Sequence, residues 1–181
     1  NNILLVGNLR ATFTREGMYE LTDNLINDLE ELQKKIKFNL RIIGHFDPTS
    51  KMKKKLDYPW VKFTGWVKDI NKEYKNANAL LVTNTSPLGT RMRILNGMAA
   101  GLPVITYKNN VLYNKEFISN KNIFIAKNKR ELIDYVKTSL VDKKLCKKIS
   151  HNAHKVIKKH YDPYRITEKI LDEIIKDYKN I

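Results

Sequence analysis

Short apolar runs alternate along this chain with longer segments in which apolar residues recur at helical spacing. The runs lie at residues 3–6, 40–43, 61–64, 79–82, 104–106 and 123–126. The continuous apolar run at 79–82 is typical of a parallel strand that is buried on both faces, and the other runs are mostly apolar. The first long segment places one apolar stripe on a helix: Leu21, Leu25, Leu29, Leu32 and Ile36. The pattern therefore predicts six strands that alternate with helices.

Residues that start or stop helices support these boundaries. Three helices begin at candidate N-caps: Asp69, Asn128 and Asp162. Gly101 suits the left-handed position after a helix, and Pro103 prevents that helix from continuing. We therefore expect the strand at 104–106 to follow a short turn.

The order of elements predicts one α/β domain. We expect a doubly wound, Rossmann-like parallel sheet of about six strands in the order 3-2-1-4-5-6, flanked by helices and followed by C-terminal helices. The strand order reverses between the first and fourth strands, and such sheets bind ligands at that reversal. Gly7 and Asn8 should therefore face the loop at residues 83–89 across a nucleotide-binding crevice.

Two arginines stand in the first turn of the helix that follows this loop. The helix dipole disfavours Arg91 and Arg93 by about 0.3–1 kcal/mol each, whereas the free N–H groups of the turn attract anions. An anion bound by both arginines would resolve this conflict; side chains that extend into water are the alternative. The preceding loop supplies four further candidate binding residues: Ser86, Leu88, Gly89 and Thr90.

Composition narrows the possible partners. The 181 residues include 34 Lys and Arg against 19 Asp and Glu, a net charge of +15, which suits an anionic small ligand, an anionic membrane surface or a nucleic acid. Nucleic acid is the least favoured, because the common nucleic-acid-binding motifs are missing from the sequence. One cysteine, Cys146, and scattered histidines predict no metal site and a reducing, cytoplasmic location.

Several segments, taken in chain order, resemble a known family. They are residues 4–9, 16–17, 40–44, 61–67, 77–82, 89–95 and 98–104. Together they are similar to the C-terminal, donor-binding Rossmann domain of GT-B glycosyltransferases of the group 1 type. The similarity extends over residues 3–178, and residues 89–104 are its most specific part.

The resemblance implies transfer of a sugar from a UDP- or GDP-linked donor to a polysaccharide, lipid or protein glycan, with no metal or other cofactor. Arg91 and Arg93 would neutralise the leaving pyrophosphate. The backbone of Gly65, Trp66 and Val67 would lie beside the base, although a core position for Trp66 is an equal alternative.

This sequence departs from the family pattern in two ways. A pair of glutamates is common in the family, and Leu88 and Asn96 stand in their places here. Asn96 can still bond a ribose hydroxyl, but without the charge of a carboxylate. Asn8 replaces a common basic residue and is equally suited to a turn, so Arg91 and Arg93 would act with Arg10 or Arg15.

The resemblance also implies a missing partner. We expect residues 1–181 to be the donor half of an enzyme whose N-terminal acceptor domain is absent from this chain, and the isolated chain to be inactive. The last helix carries an apolar stripe that needs a partner surface: Ile166, Ile170, Ile174, Ile175 and Tyr178.

A nucleotide-sugar epimerase and a non-catalytic basic binding or assembly module remain alternatives to the glycosyltransferase interpretation. The expected location is cytoplasmic, with a peripheral position at the inner face of the membrane as a further option.

Overall fold

One parallel sheet organises the chain. A computed structural model describes residues 1–45, 49–87 and 92–179, and its six strands have the order β3-β2-β1-β4-β5-β6. The strands are β1 Asn2–Val6, β2 Asn39–Ile43, β3 Val61–Gly65, β4 Ala79–Val82, β5 Val104–Tyr107 and β6 Phe124–Ala126. The predicted fold and strand order are therefore confirmed, including the reversal beside β1.

Helices cover both faces of the sheet. They are α1 Thr12–Glu20, α2 Ile26–Lys35, α3 Ser50–Lys55, α4 Ile70–Lys75, α5 Met92–Ala99, α6 Lys129–Val141, α7 Lys143–His160 and α8 Pro163–Lys179. A π-helical turn, Leu21–Leu25, joins α1 to α2, and a 3₁₀ turn, Lys108–Val111, follows β5. The π-helical turn was not predicted, but Leu21, Leu25 and Leu29 are still fully buried on the expected stripe.

Alternate residues of the strands enter two apolar layers. Ile3 and Leu5 pack in the layer that contains residues of α1, α2, α3 and α6, whereas Leu4 enters the layer that contains residues of α4 and α5. Both faces of β1 are thus removed from water, as its continuous apolar sequence predicts.

The predicted helix boundaries are confirmed by side-chain contacts. The carboxylate of Asp69 accepts from the Asn71 amide at 2.9 Å, and the side-chain oxygen of Asn128 accepts from the Glu131 amide at 3.0 Å. Asp162 accepts from the amides of the first turn of α8. Gly101 has a φ of +72°, the left-handed conformation expected after α5.

Helix α8 leaves its apolar stripe exposed, including Ile170, Ile174 and Tyr178. The partner surface expected for that stripe stays a prediction. Among the helices in the described ranges, none combines the length and apolar character needed to cross a membrane.

Two glycines with positive φ provide a test of this packing. An alanine Cβ at Gly44 (φ +123°) would overlap the carbonyl oxygen of Gly7 and lie 2.8 Å from its carbonyl carbon, whereas at Gly101 (φ +72°) it would meet nothing within 4 Å. Gly101→Ala should lower the free energy of unfolding by about 1–2 kcal/mol through backbone strain. Gly44→Ala should lower it by about 1–3 kcal/mol more, because its Cβ would also crowd Gly7. Urea unfolding of both variants measures the difference. Equal losses would show that the approach of Gly44 to Gly7 is not tight.

Candidate functional site

The reversal of strand order brings two chain segments together at the carboxyl edge of the sheet. β1 and β4 are neighbours, so Gly7 after β1 and Thr83 after β4 lie at the same edge. The backbone of this edge is continuous across three strands, because the Gly7 amide donates to Ile43 at 2.9 Å and the Gly44 amide to Gly65 at 2.8 Å.

Arg93 projects from the first turn of α5 toward this edge. Its Nη2 donates to the hydroxyl oxygen of Thr14 at 2.6 Å. Its Cζ lies 3.3 Å from the place that a Cβ on Gly7 would occupy. The absence of a side chain at Gly7 therefore leaves the guanidinium room beside the end of β1, and Thr14 orients it there.

Arg93 also influences a buried phenol. Burial raises the pKa of Tyr74, which lies on α4, and the positive charge of Arg93 partly opposes that effect. Tyr74 therefore stays protonated and neutral at ordinary pH.

Glu16 on α1 holds the loop that follows β4. Its Oε1 accepts from the Thr85 amide at 3.0 Å, the Thr85 hydroxyl at 2.5 Å and the Ser86 amide at 2.7 Å. Backbone amides at strand ends often bind anions. Here the anion that they bind is the carboxylate of Glu16.

Gly17 permits α1 to approach the same loop closely. The Thr83 hydroxyl donates to the carbonyl oxygen of Gly17 at 2.6 Å, and a Cβ on Gly17 would lie 2.9 Å from the Asn84 amide nitrogen. Asn84 is buried and donates to Asn110 at 2.8 Å. The loop is therefore held from both sides by hydrogen bonds.

Two of the candidate residues near β1 have other surroundings. The Asn8 side chain accepts from the Arg10 amide at 3.0 Å, and its carbonyl oxygen accepts from Ala11 at 3.0 Å. The structure thus favours the turn interpretation of Asn8. Arg15 is exposed and lines a cavity of about 210 Å³ between α1 and α3.

The end of β3 lies at the same edge of the sheet, because it is hydrogen-bonded to the end of β2. Gly65 has a φ of +72°, and Val67 packs partly buried against the layer under α4 and α5. Trp66 is 79% exposed, so the alternative that placed it in the core is wrong. A large exposed aromatic ring offers a flat surface on which a base can stack.

The remaining candidates lie on α5 or before it. Asn96 is exposed on α5, three residues after Arg93 and therefore on the same side of the helix. Ser86 contributes its amide to the contact with Glu16. Leu88, Gly89, Thr90 and Arg91 lie outside the described residues. Within the described ranges, His, Cys, Asp and Glu form no group of three or more that could hold a metal.

The sequence pattern predicts no role for Thr14 or Glu16. A polar run such as residues 83–86 does signal a loop that needs hydrogen-bond partners. Nothing in the spacing of the chain shows that α1 supplies them, because the contact joins residues about seventy positions apart.

A family model described as "Glycosyl transferases group 1" matches residues 1–142. No curated protein gives a significant match.

Solved structures of similar fold agree with that match. TarM from S. aureus has a TM-score of 0.78 at 17% identity, with 94% of this chain and 34% of TarM covered. HepE from Anabaena, in complex with UDP, has a TM-score of 0.77 at 17% identity, with 97% of this chain and 48% of HepE covered. The chain thus spans half or less of these two proteins.

A third structure is itself a single domain. The C-terminal domain of LpcC, a glycosyl transferase group 1 family protein from Francisella tularensis, has a TM-score of 0.69 at 18% identity. This chain is covered over 90% of its length and the LpcC domain over 86%. At these identities the likeness concerns the fold alone.

The contact of Glu16 predicts a measurable loss of stability. Glu16→Ala should lower the free energy of unfolding by about 1–3 kcal/mol, because two amides and a hydroxyl lose their acceptor. Glu16→Gln keeps an acceptor oxygen and should cost less. Glu168→Ala, at an exposed glutamate of α8, is the matched control and should change stability by no more than about 0.5 kcal/mol. Equal effects of Glu16→Ala and Glu168→Ala in urea unfolding would contradict the conclusion that Glu16 holds the loop.

Proposed function

We propose that this chain, which belongs to the glycosyl transferases group 1 family, binds the nucleotide diphosphate part of a donor sugar for transfer to an acceptor. The observation that carries the proposal is the Arg93 guanidinium beside Gly7, at the reversal of strand order. Doubly wound sheets bind nucleotides at that place. The acceptor would be a polysaccharide, a lipid or a protein glycan.

Arg93 has the chemistry that the diphosphate requires. A guanidinium forms charge-assisted, bidentate hydrogen bonds with phosphate oxygens. Bond cleavage would leave negative charge on the pyrophosphate, and a cation already oriented by Thr14 would stabilise it without reorganisation. In this proposal Arg93, with Arg91 from the preceding residues, takes the part that a metal ion plays in other transferases.

The diphosphate would be bound by side chains more than by the loop amides. The Ser86 and Thr85 amides already donate to Glu16, whose carboxylate would also repel an approaching anion. Binding therefore depends on the cation of α5. This arrangement supports a catalytic role for Arg93 and a lesser role for Ser86.

The other parts of the nucleotide have candidate contacts on either side. Trp66 offers an exposed ring for the base, and Asn96 offers an amide for the ribose hydroxyls. Structures of the similar protein HepE contain UDP and UDP-glucose. A UDP-linked donor is therefore the first ligand to test here, followed by a GDP-linked donor.

Arg93→Ala should weaken UDP binding by about 1.5–3 kcal/mol, the range for hydrogen bonds to charged groups. Thr14→Val should weaken it less, because the guanidinium is kept but loses its orienting hydroxyl. Calorimetric titration with UDP measures both. The matched control is Arg130→Ala, which removes an exposed arginine from the first turn of α6 and should leave UDP affinity unchanged. Equal affinities for the Arg93 and Arg130 variants would refute the diphosphate site.

Asn96→Glu tests the ribose contact. A carboxylate makes stronger hydrogen bonds to two adjacent hydroxyls, so the variant should bind UDP more tightly relative to 2′,3′-dideoxy-UDP. Asn27→Glu on α2 makes the same change at an exposed position remote in sequence and serves as the control. The ribose contact fails if Asn96→Glu changes the affinity for both nucleotides by the same factor.

A further inference from the structure

Two cavities adjoin at the carboxyl ends of β5 and β6. Both are open to solvent; one has a volume of about 410 Å³ and the other of about 450 Å³. Lys108, which follows β5, and Lys127, which follows β6, line both cavities. We call the two cavities together the β5–β6 groove.

The groove has an excess of positive charge. Lys108, Lys115 and Lys127 are exposed, and none of them forms an ion pair with another described residue. Two carboxylates also line the groove and keep their negative charge, so the three lysines exceed them by one; a fourth lining lysine, Lys129, pairs with Asp28. Glu20 accepts from the Tyr107 hydroxyl at 2.6 Å, and Glu131 accepts from the Lys127 amide at 2.7 Å.

The second cavity adds an apolar wall beside these lysines. Leu112 lines it and is 49% exposed, with Val111, Phe117 and Ile125 also in the lining. Exposed leucine side chains are favourable sites for an apolar ligand because they lose contact with water on binding. The same cavity therefore offers cations and apolar surface to one molecule.

The first cavity of the groove lies next to the candidate site. Thr85 lines this cavity and also donates its hydroxyl to Glu16. Asn24 and Asn109 add polar side chains to the lining. A molecule in the groove would thus lie beside the loop that Glu16 holds.

We propose that the β5–β6 groove binds an amphiphilic anion, with its phosphate or carboxylate between Lys108 and Lys127 and its apolar body against Leu112. Charge complementarity selects the anion, and the mixed lining selects a molecule with an apolar part over a free inorganic ion. Binding in the groove does not rest on the proposed function.

Calorimetric titration of the whole chain with three probes tests the proposal. Octyl phosphate, below its micellar concentration, carries both features; octyl glucoside lacks the charge, and inorganic phosphate lacks the apolar body. We expect octyl phosphate to bind at least about tenfold more tightly than either of the others. Comparable binding of octyl glucoside, or no binding of octyl phosphate, overturns the proposal.

Paired variants separate a site from general attraction to a basic protein. The double variant Lys108→Ala and Lys127→Ala should weaken octyl phosphate binding about tenfold. The control, Lys144→Ala with Lys148→Ala on α7, makes the same change in net charge and should leave the affinity within about twofold. Equal weakening by both pairs would show that octyl phosphate is held by diffuse electrostatic attraction, and it would overturn the proposal that the groove binds it.

A second pair tests the apolar wall. Leu112→Ser should weaken binding of octyl phosphate but not of inorganic phosphate, whereas Val141→Ser, at a 58% exposed residue of α6, should change neither. Titration of the unchanged chain with UDP keeps the two hypotheses apart. In the unchanged chain, UDP binding without octyl phosphate binding refutes the groove alone, and octyl phosphate binding without UDP binding refutes the nucleotide site alone.

Discussion

The close contact of α1 with the chain after β4 determines the geometry of the candidate site. Three neighbouring residues of α1 make it: Thr14 bonds Arg93, Glu16 bonds the Thr85 and Ser86 amides, and Gly17 accepts from Thr83. The contact is possible because Gly17 has no side chain. One helix therefore orients the cation and also holds the loop that leads to it. The position of the arginine depends on α1 as much as on α5.

The sequence was sufficient to predict the sheet but only part of the site. Continuous apolar strands and helical stripes are strong local signals, and the right-handed connection rule converts their order into a topology. The left-handed Gly101 is a local signal of the same kind. The role of Glu16 is different, because it depends on a loop distant in sequence. Trp66 shows the same limit, since an aromatic residue at a strand end suits a core or a surface equally.

The contribution of the positive charges to specific anion binding depends on where each of them lies. Many lysines lie on solvent-facing helix positions, where a charge contributes little to specific binding. Arg93 differs because a hydroxyl orients it at a strand end. Lys108 and Lys127 differ because they line an open groove with apolar surface nearby. The net charge of +15 thus describes an overall attraction for anions, whereas shape and orientation decide where an anion is held.

The ends of β1, β2 and β3 are joined directly by backbone hydrogen bonds, from Gly7 to Ile43 and from Gly44 to Gly65. Trp66 follows Gly65, so the sheet sets the position of the Trp66 backbone relative to Gly7. The Trp66 side chain itself lies beyond the strand and is 79% exposed. The sheet therefore fixes the point from which the ring extends, and rotation of the side chain alone decides how far the ring reaches along the edge.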